Sequence, residues 1–207
     1  MRAVYCLMLL VATGCHAKFK KHAGTLGEVR TEVHTTAGPS VNLGYADGDD
    51  AVTAIVNVVQ AAKSMSQTRQ MAEALDPGEV SASLDAGVAD SIGSGPPFGW
   101  TDDEGAHLLQ MELIDWGVSV PGLGMPGVFD FTVRTRIYKT DGERVYSARL
   151  TCVSSLGDPN VAEVVFGVVN NVGELKDMSD EDLQATFESI AYGCGDQLVL
   201  KMRRHGS

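Results

Sequence analysis

The sequence predicts an α+β fold: an antiparallel sheet of about four strands with helices packed on one face, in the order β-α-α-β-β-β-α-α. Three observations carry this. Stretches near residues 109–120, 129–137 and 145–152 alternate apolar and polar residues with period two, which leaves one face dry and one wet. The stretch from Val52 instead repeats its apolar residues at i, i+3, i+4 and i+7, the stretch 183–198 carries an apolar helical stripe, and 77–92 opens with the cap and proline of a helix start. Capping and turn residues separate the two kinds of stretch.

In chain order, Val29, Thr31 and Val33 alternate with Arg30, Glu32 and His34, which predicts a strand over 28–34. Gly38-Pro39, Gly44 and Gly48 mark turns, with a brief extended piece around Val41 and Leu43. Asp49 and Asp50 cap a helix whose stripe is Val52, Ile55, Val56 and Val59, thinning through Ala62, Met65 and Met71 to Leu75. Asp76-Pro77-Gly78-Glu79 restarts the helix, with the acid as cap and proline at the first helical position. This second helix runs to about Ile92 and stops at Gly93-Ser94-Gly95-Pro96-Pro97. A glycine- and acid-rich loop follows, over 93–106.

Leu109, Met111 and Leu113 then alternate with Gln110 and Glu112. The phase slips at Asp115-Trp116-Gly117, which predicts a bulge, and Val118 and Val120 continue on the shifted phase. Phe129, Phe131, Val133 and Ile137 share one strand face; Asp130, Thr132, Arg134 and Arg136 share the other. Asp141-Gly142 tips a hairpin, and the returning strand sets Tyr146, Ala148, Leu150 and Cys152 on one face. Gly157-Asp158-Pro159 opens a third helix through Val161, Val164, Val165, Val168 and Val172, although so many β-branched residues also suit a strand. Ser179-Asp180-Glu181-Asp182 caps the last helix, with the stripe Leu183, Phe187, Ile190, Cys194 and Leu198. Lys201, Arg203 and Arg204 complement its C-terminal dipole.

Cys152 and Cys194 thus lie on the apolar faces of a strand and a helix. Packing that helix on the sheet brings them together, either as a disulfide closing a loop of about 40 residues and worth about 2–4 kcal/mol, or as two reduced core thiols.

With 16 Lys and Arg against 27 Asp and Glu, the net charge is −11. That excludes nucleic acid as a partner, because phosphate contacts need clustered cations. The basic cluster Lys18, Lys20 and Lys21 suits anionic head groups or a solvated tether.

Several motifs tempt and fail. Gly122-Leu123-Gly124-Met125-Pro126-Gly127 spells G-x-G-x-x-G, but a strand follows it where a dinucleotide site needs a helix. Gly38-Pro39-Ser40 lacks the closing glycine of a hydrolase elbow. His16, His22, His34, His107 and His205 show no metal spacing, and Asp102-Asp103-Glu104 lacks the alternation of a calcium loop. Arg134 and Arg136, beside Glu112 or Asp130, read as a cross-strand charge ladder before an anion site. No catalytic constellation, metal site or cofactor site is expected.

The N-terminus carries the strongest signal. Met1-Arg2 precedes ten mostly apolar residues, Ala3 to Ala12. That is a secretory signal peptide, at about 15 Å of helix too short to cross a bilayer. Val11-Ala12-Thr13-Gly14-Cys15 resembles the lipobox of bacterial lipoproteins. The resemblance implies cleavage before Cys15, acylation of Cys15 and membrane lipid as a partner. The absence of aspartate at His16 implies the outer membrane, facing the periplasm. The expected organisation is a signal peptide over 1–14, a lipidated tether over 15–24 and one α+β domain over 25–207.

Gly95-Pro96-Pro97-Phe98-Gly99, the Leu108–Val120 strand, Arg136-Ile137-Tyr138, Val145-Tyr146-Ser147, Asn170-Asn171-Val172 and the Met178–Asp182 cap are similar to stretches of uncharacterised bacterial envelope lipoproteins. The element order is similar to small α+β envelope lipoproteins and to the N-terminal domain of TolB. Neither likeness implies an activity. The leading expectation is a non-enzymatic lipoprotein that binds or scaffolds an envelope protein, with Phe98 and Trp100 as its contact. The alternatives are a periplasmic small-ligand-binding lipoprotein and, third, an enzyme.

Overall fold

A computed structural model of the 207-residue chain describes residues 17–43, 51–93, 98–120, 128–155 and 179–207. The fold is α+β. The strands are β1 (Glu28–Thr35), β2 (Ser40–Leu43), β3 (Gly99–Trp100), β4 (His107–Val120), β5 (Val128–Tyr138) and β6 (Arg144–Ser155). The helices are α1 (residues 17–23), α2 (Ala51–Ala74), α3 (Pro77–Gly93) and α4 (Asp180–Gly206).

The sheet corrects the expectation of about four antiparallel strands. It has six strands in the order β3-β1-β4-β5-β6, with β2 also on β4. Only β4–β5 and β5–β6 are antiparallel; β1–β3, β1–β4 and β2–β4 are parallel. The cause is connectivity. The chain between β1 and β4 contains two helices, and a helical crossover returns the chain in the same direction. The alternation within each strand says nothing of this, because period two is the same in both ladders. β1 and β2 lie end to end along one side of β4, at His107–Leu113 and Gly117–Val120.

The bulge in β4 is present: the register against β5 shifts between Leu113 and Asp115. The slip lets Trp116 and Val118 rejoin the buried face that Leu109, Met111 and Leu113 began. Gly117, at φ 151°, permits it. A Cβ there would run into the Ser40 backbone, so β2 can lie on β4 only at a glycine. The β5–β6 hairpin forms around Asp141-Gly142, with Gly142 at φ 83°.

One sheet face carries the core. Phe187 of α4 meets the rings of Trp116, Phe129 and Phe131 at 5.5, 5.1 and 5.7 Å. Ser179 accepts from the Asp182 N–H at 3.1 Å, capping α4 as its sequence requires. Asp76 caps α3 by accepting the Gly78 N–H at 2.7 Å. The two helices cross backbone against backbone where Gly87 faces Gly195; a Cβ on Gly195 would sit 2.7 Å from the Val88 nitrogen.

Residues 15–24 carry the expectation of a tether, but residues 17–23 are helical and Phe19 is fully buried. Its ring lies 4.4 Å from Tyr146 and 6.5 Å from Phe98. Two apolar residues among lysines, Phe19 and Ala23, are enough to dock one short helix and too few to show as a stripe. The signal peptide, Cys15 and the helix or strand expected over 157–172 lie outside the described residues, as does the G-x-G-x-x-G stretch over 122–127.

Candidate functional site

β1 and α3 flank an open groove of about 540 Å³. One wall is the strand from Thr31 to Thr35. The other is the first half of α3, with Pro77, Gly78, Ser81, Ala82 and Asp85. The Thr35 and Ser81 hydroxyls are hydrogen-bonded across one end. At the other end the Trp100 indole donates to Thr31 Oγ1 at 3.2 Å. Asp85 Oδ1 is buried and has no hydrogen-bond partner among the described residues. The groove's titratable residues are Glu32, His34 and Asp85; Glu32 is paired with His34 Nε2 at 2.9 Å and with Arg30 at 3.9 Å.

The opposite sheet face is polar. Glu112 receives Arg134 at 2.9 Å and Arg136 at 2.8 Å through separate oxygens. Partial burial pulls the Glu112 carboxyl up, but the hydrogen bonds from Arg136 and Arg134 outweigh it and hold the carboxyl below its ordinary value. Here the expected charge ladder is present, and its acid is Glu112; Asp130 instead accepts from Ser119 at 2.5 Å. A second open cleft of about 690 Å³ lies beside Arg30, Gln110, Tyr138 and Lys139. At its rim Lys139 and then Lys18 hydrogen-bond Glu143 and lower its carboxyl to about 2.

The expected contact pair divides. Trp100 is 41% exposed and flanks the groove, whereas Phe98 is 5% exposed and belongs to the core. Phe98 therefore cannot serve as surface. The apolar neighbours that claim it, Phe19 above all, sit some eighty positions upstream, beyond the reach of any local pattern. Cys152 and Cys194 come together at disulfide distance, with 5.6 Å between Cα atoms and both sulfur-bearing residues buried.

The histidines separate. His107 Nδ1 accepts the Thr140 N–H at 3.0 Å, and His205 Nδ1 pairs with the Tyr146 hydroxyl at 2.9 Å. Burial pushes the Tyr146 phenol well above its ordinary pKa. No group of three potential metal ligands occurs among the described residues. Asp103 spends a carboxylate oxygen on the Gly105 N–H at 2.9 Å, within its own turn. Sequence reasoning passed over Ser81 and Asp85 because each is one polar position on a helix; only the packing of α3 beside β1 gives them a shared groove.

No family model matches the chain, and no curated protein does. Among solved structures it is similar to a hypothetical protein from Chlamydia trachomatis, at 10% identity and a TM-score of 0.44, over 87% of this chain and 96% of that one.

Proposed function

We propose that the protein is a non-enzymatic, lipid-anchored binding or scaffolding component of the bacterial cell envelope, held at the outer membrane by Cys15 and facing the periplasm. The observation that carries this reading is the lipobox-like Val11-Ala12-Thr13-Gly14-Cys15 behind a short apolar run. Two features suit it. No helix among the described residues is long and apolar enough to cross a membrane, so an acyl anchor would supply the attachment. The helical chain also begins by residue 17, so acyl chains on Cys15 would hold the domain close against the head groups. Lys20 is exposed on that short helix and suits an anionic surface.

Mass spectrometry of the native N-terminus tests the anchor. The expected result is a chain starting at an acylated Cys15 that partitions into detergent, and a Cys15→Ser chain that does not. An unmodified chain retaining its first fourteen residues rejects the proposal. Crosslinking in intact envelopes tests the binding role, and should give a discrete adduct through Trp100 that Trp100→Ala loses.

A further inference from the structure

Among the described residues, the outer edge of β1 and β2 is capped at both ends and bare in the middle. At the start, β3 covers it: the Gly99 N–H donates to Gly27 O at 2.7 Å and the Thr101 N–H to Val29 O at 3.0 Å. At the far end, α2 covers it with side chains. Thr68 Oγ1 accepts the Val41 N–H at 2.9 Å, and the Ser64 hydroxyl donates to Val41 O. Between them lies β1 from Thr31 to Thr35.

Strand alternation fixes where its amides point. Val29 O faces β3, and the Thr36 N–H faces β4, donating to Leu113 O at 3.1 Å. Odd-numbered residues of β1 therefore turn their backbone groups to the outer edge and even-numbered ones to β4. The N–H and C=O groups of Thr31, Val33 and Thr35 have no partner among the described residues. They open onto the groove whose far wall is α3. An uncapped strand edge is a template for another strand, and proteins ordinarily blunt it. Here both flanks are blunted, and among the described residues nothing blunts these five.

We infer that this edge binds an extended, cationic peptide segment of a partner protein, which adds to the sheet as a strand beside β1, along the flank of α3. Five residues span about 16 Å, enough for the peptide to exchange backbone hydrogen bonds with all three odd residues. The charge of the segment follows from the walls. The buried oxygen of Asp85 lines the groove with no partner among the described residues, and no lysine or arginine lines it; Glu32 adds little, being already paired with His34 at 2.9 Å and Arg30 at 3.9 Å. A free peptide carboxylate is disfavoured, since Asp76 already takes the Gly78 N–H at the α3 N-terminus. Trp100 stands at the mouth, half exposed, as an apolar stop for the entering chain. This inference deepens the binding role proposed above and does not depend on the anchor.

The probe is a blocked eight-residue peptide alternating threonine or valine with lysine, added to the full mature chain. Amide hydrogen exchange at single-residue resolution should slow at least about tenfold at Thr31, Val33 and Thr35, with Arg30, Glu32 and His34 unchanged. Peptide that merely clings to an acidic surface cannot produce that odd–even pattern. Val33→Pro removes a central donor on the open edge and spares the β4 ladder; it should weaken binding at least about tenfold. Should that variant unfold, Asp85→Asn serves: it should weaken the lysine peptide and leave an all-neutral analogue unaffected. Absence of the pattern at millimolar peptide overturns the inference, as does equal binding by a folded Val33→Pro chain. Odd-residue protection that grows with protein concentration alone overturns it in favour of a second copy of the chain. A failed acylation test at Cys15 leaves the exchange result standing, so the two proposals fall separately.

Discussion

Breaking the Cys152–Cys194 link should cost the domain a large share of its stability. The two residues are 42 apart in sequence, and closing a loop of that length in the unfolded chain is worth about 4 kcal/mol at the upper end of the chain-entropy estimate. Reduction adds a native-state cost. Both residues are at most 2% exposed, so two thiols that must separate push against a filled core, at about 1–3 kcal/mol. The perturbation is dithiothreitol, or the double substitution Cys152→Ala with Cys194→Ala, which relieves the crowding and isolates the loop. The assay is urea unfolding of protein recovered from an oxidising compartment, with thiols counted by alkylation and mass in the unfolded, unreduced chain. The expected outcome is no alkylatable thiol at residues 152 and 194, and a loss of at least about 2 kcal/mol on reduction. Two alkylated thiols, or a loss below about 1 kcal/mol, would refute the reasoning and imply a reduced core pair.

Phe19→Ala should cost about 3–4 kcal/mol, as other buried phenylalanines do, and should expose residues 17–23 to limited proteolysis before the domain melts; cleavage confined to global unfolding would argue against a docked helix. Gly117→Ala places a Cβ on the Ser40 backbone at a φ that side chains rarely adopt, and should lower Tm by several degrees through loss of β2 from the sheet, read by exchange at Val41. Acid should weaken the hairpin side of the molecule. Glu143 titrates near 4.5 when unfolded and at about 2 when folded. Its contribution is therefore present above 4.5 and is lost as pH falls toward 2. Glu112, also lowered by its arginines, follows the same sign, so Glu112→Gln together with Glu143→Gln should flatten the acid limb of a stability–pH curve.

The period of each stretch, the caps at Asp76 and Ser179, the Asp-Gly turn and the slip before Gly117 were all legible in the sequence. Each is a property of residues within four positions of one another, so local chemistry suffices to determine it. The cysteine pair was legible too, because a cysteine on each of two apolar faces must point into the same core. Neighbours across the sheet were not legible. Whether β4 runs with or against β1 depends on the crossover through α2 and α3, and both answers leave Leu109, Met111 and Leu113 on the same face. The fates of Phe98 and Phe19 depended on each other, across a separation that no window of sequence spans. The groove was the least visible feature, since a strand's unpaired edge is defined by what does not lie beside it. The alternation of β1 reads identically with or without a neighbour. Only the assembled sheet, with β3 covering one end and α2 the other, leaves Thr31, Val33 and Thr35 without a backbone partner among the described residues.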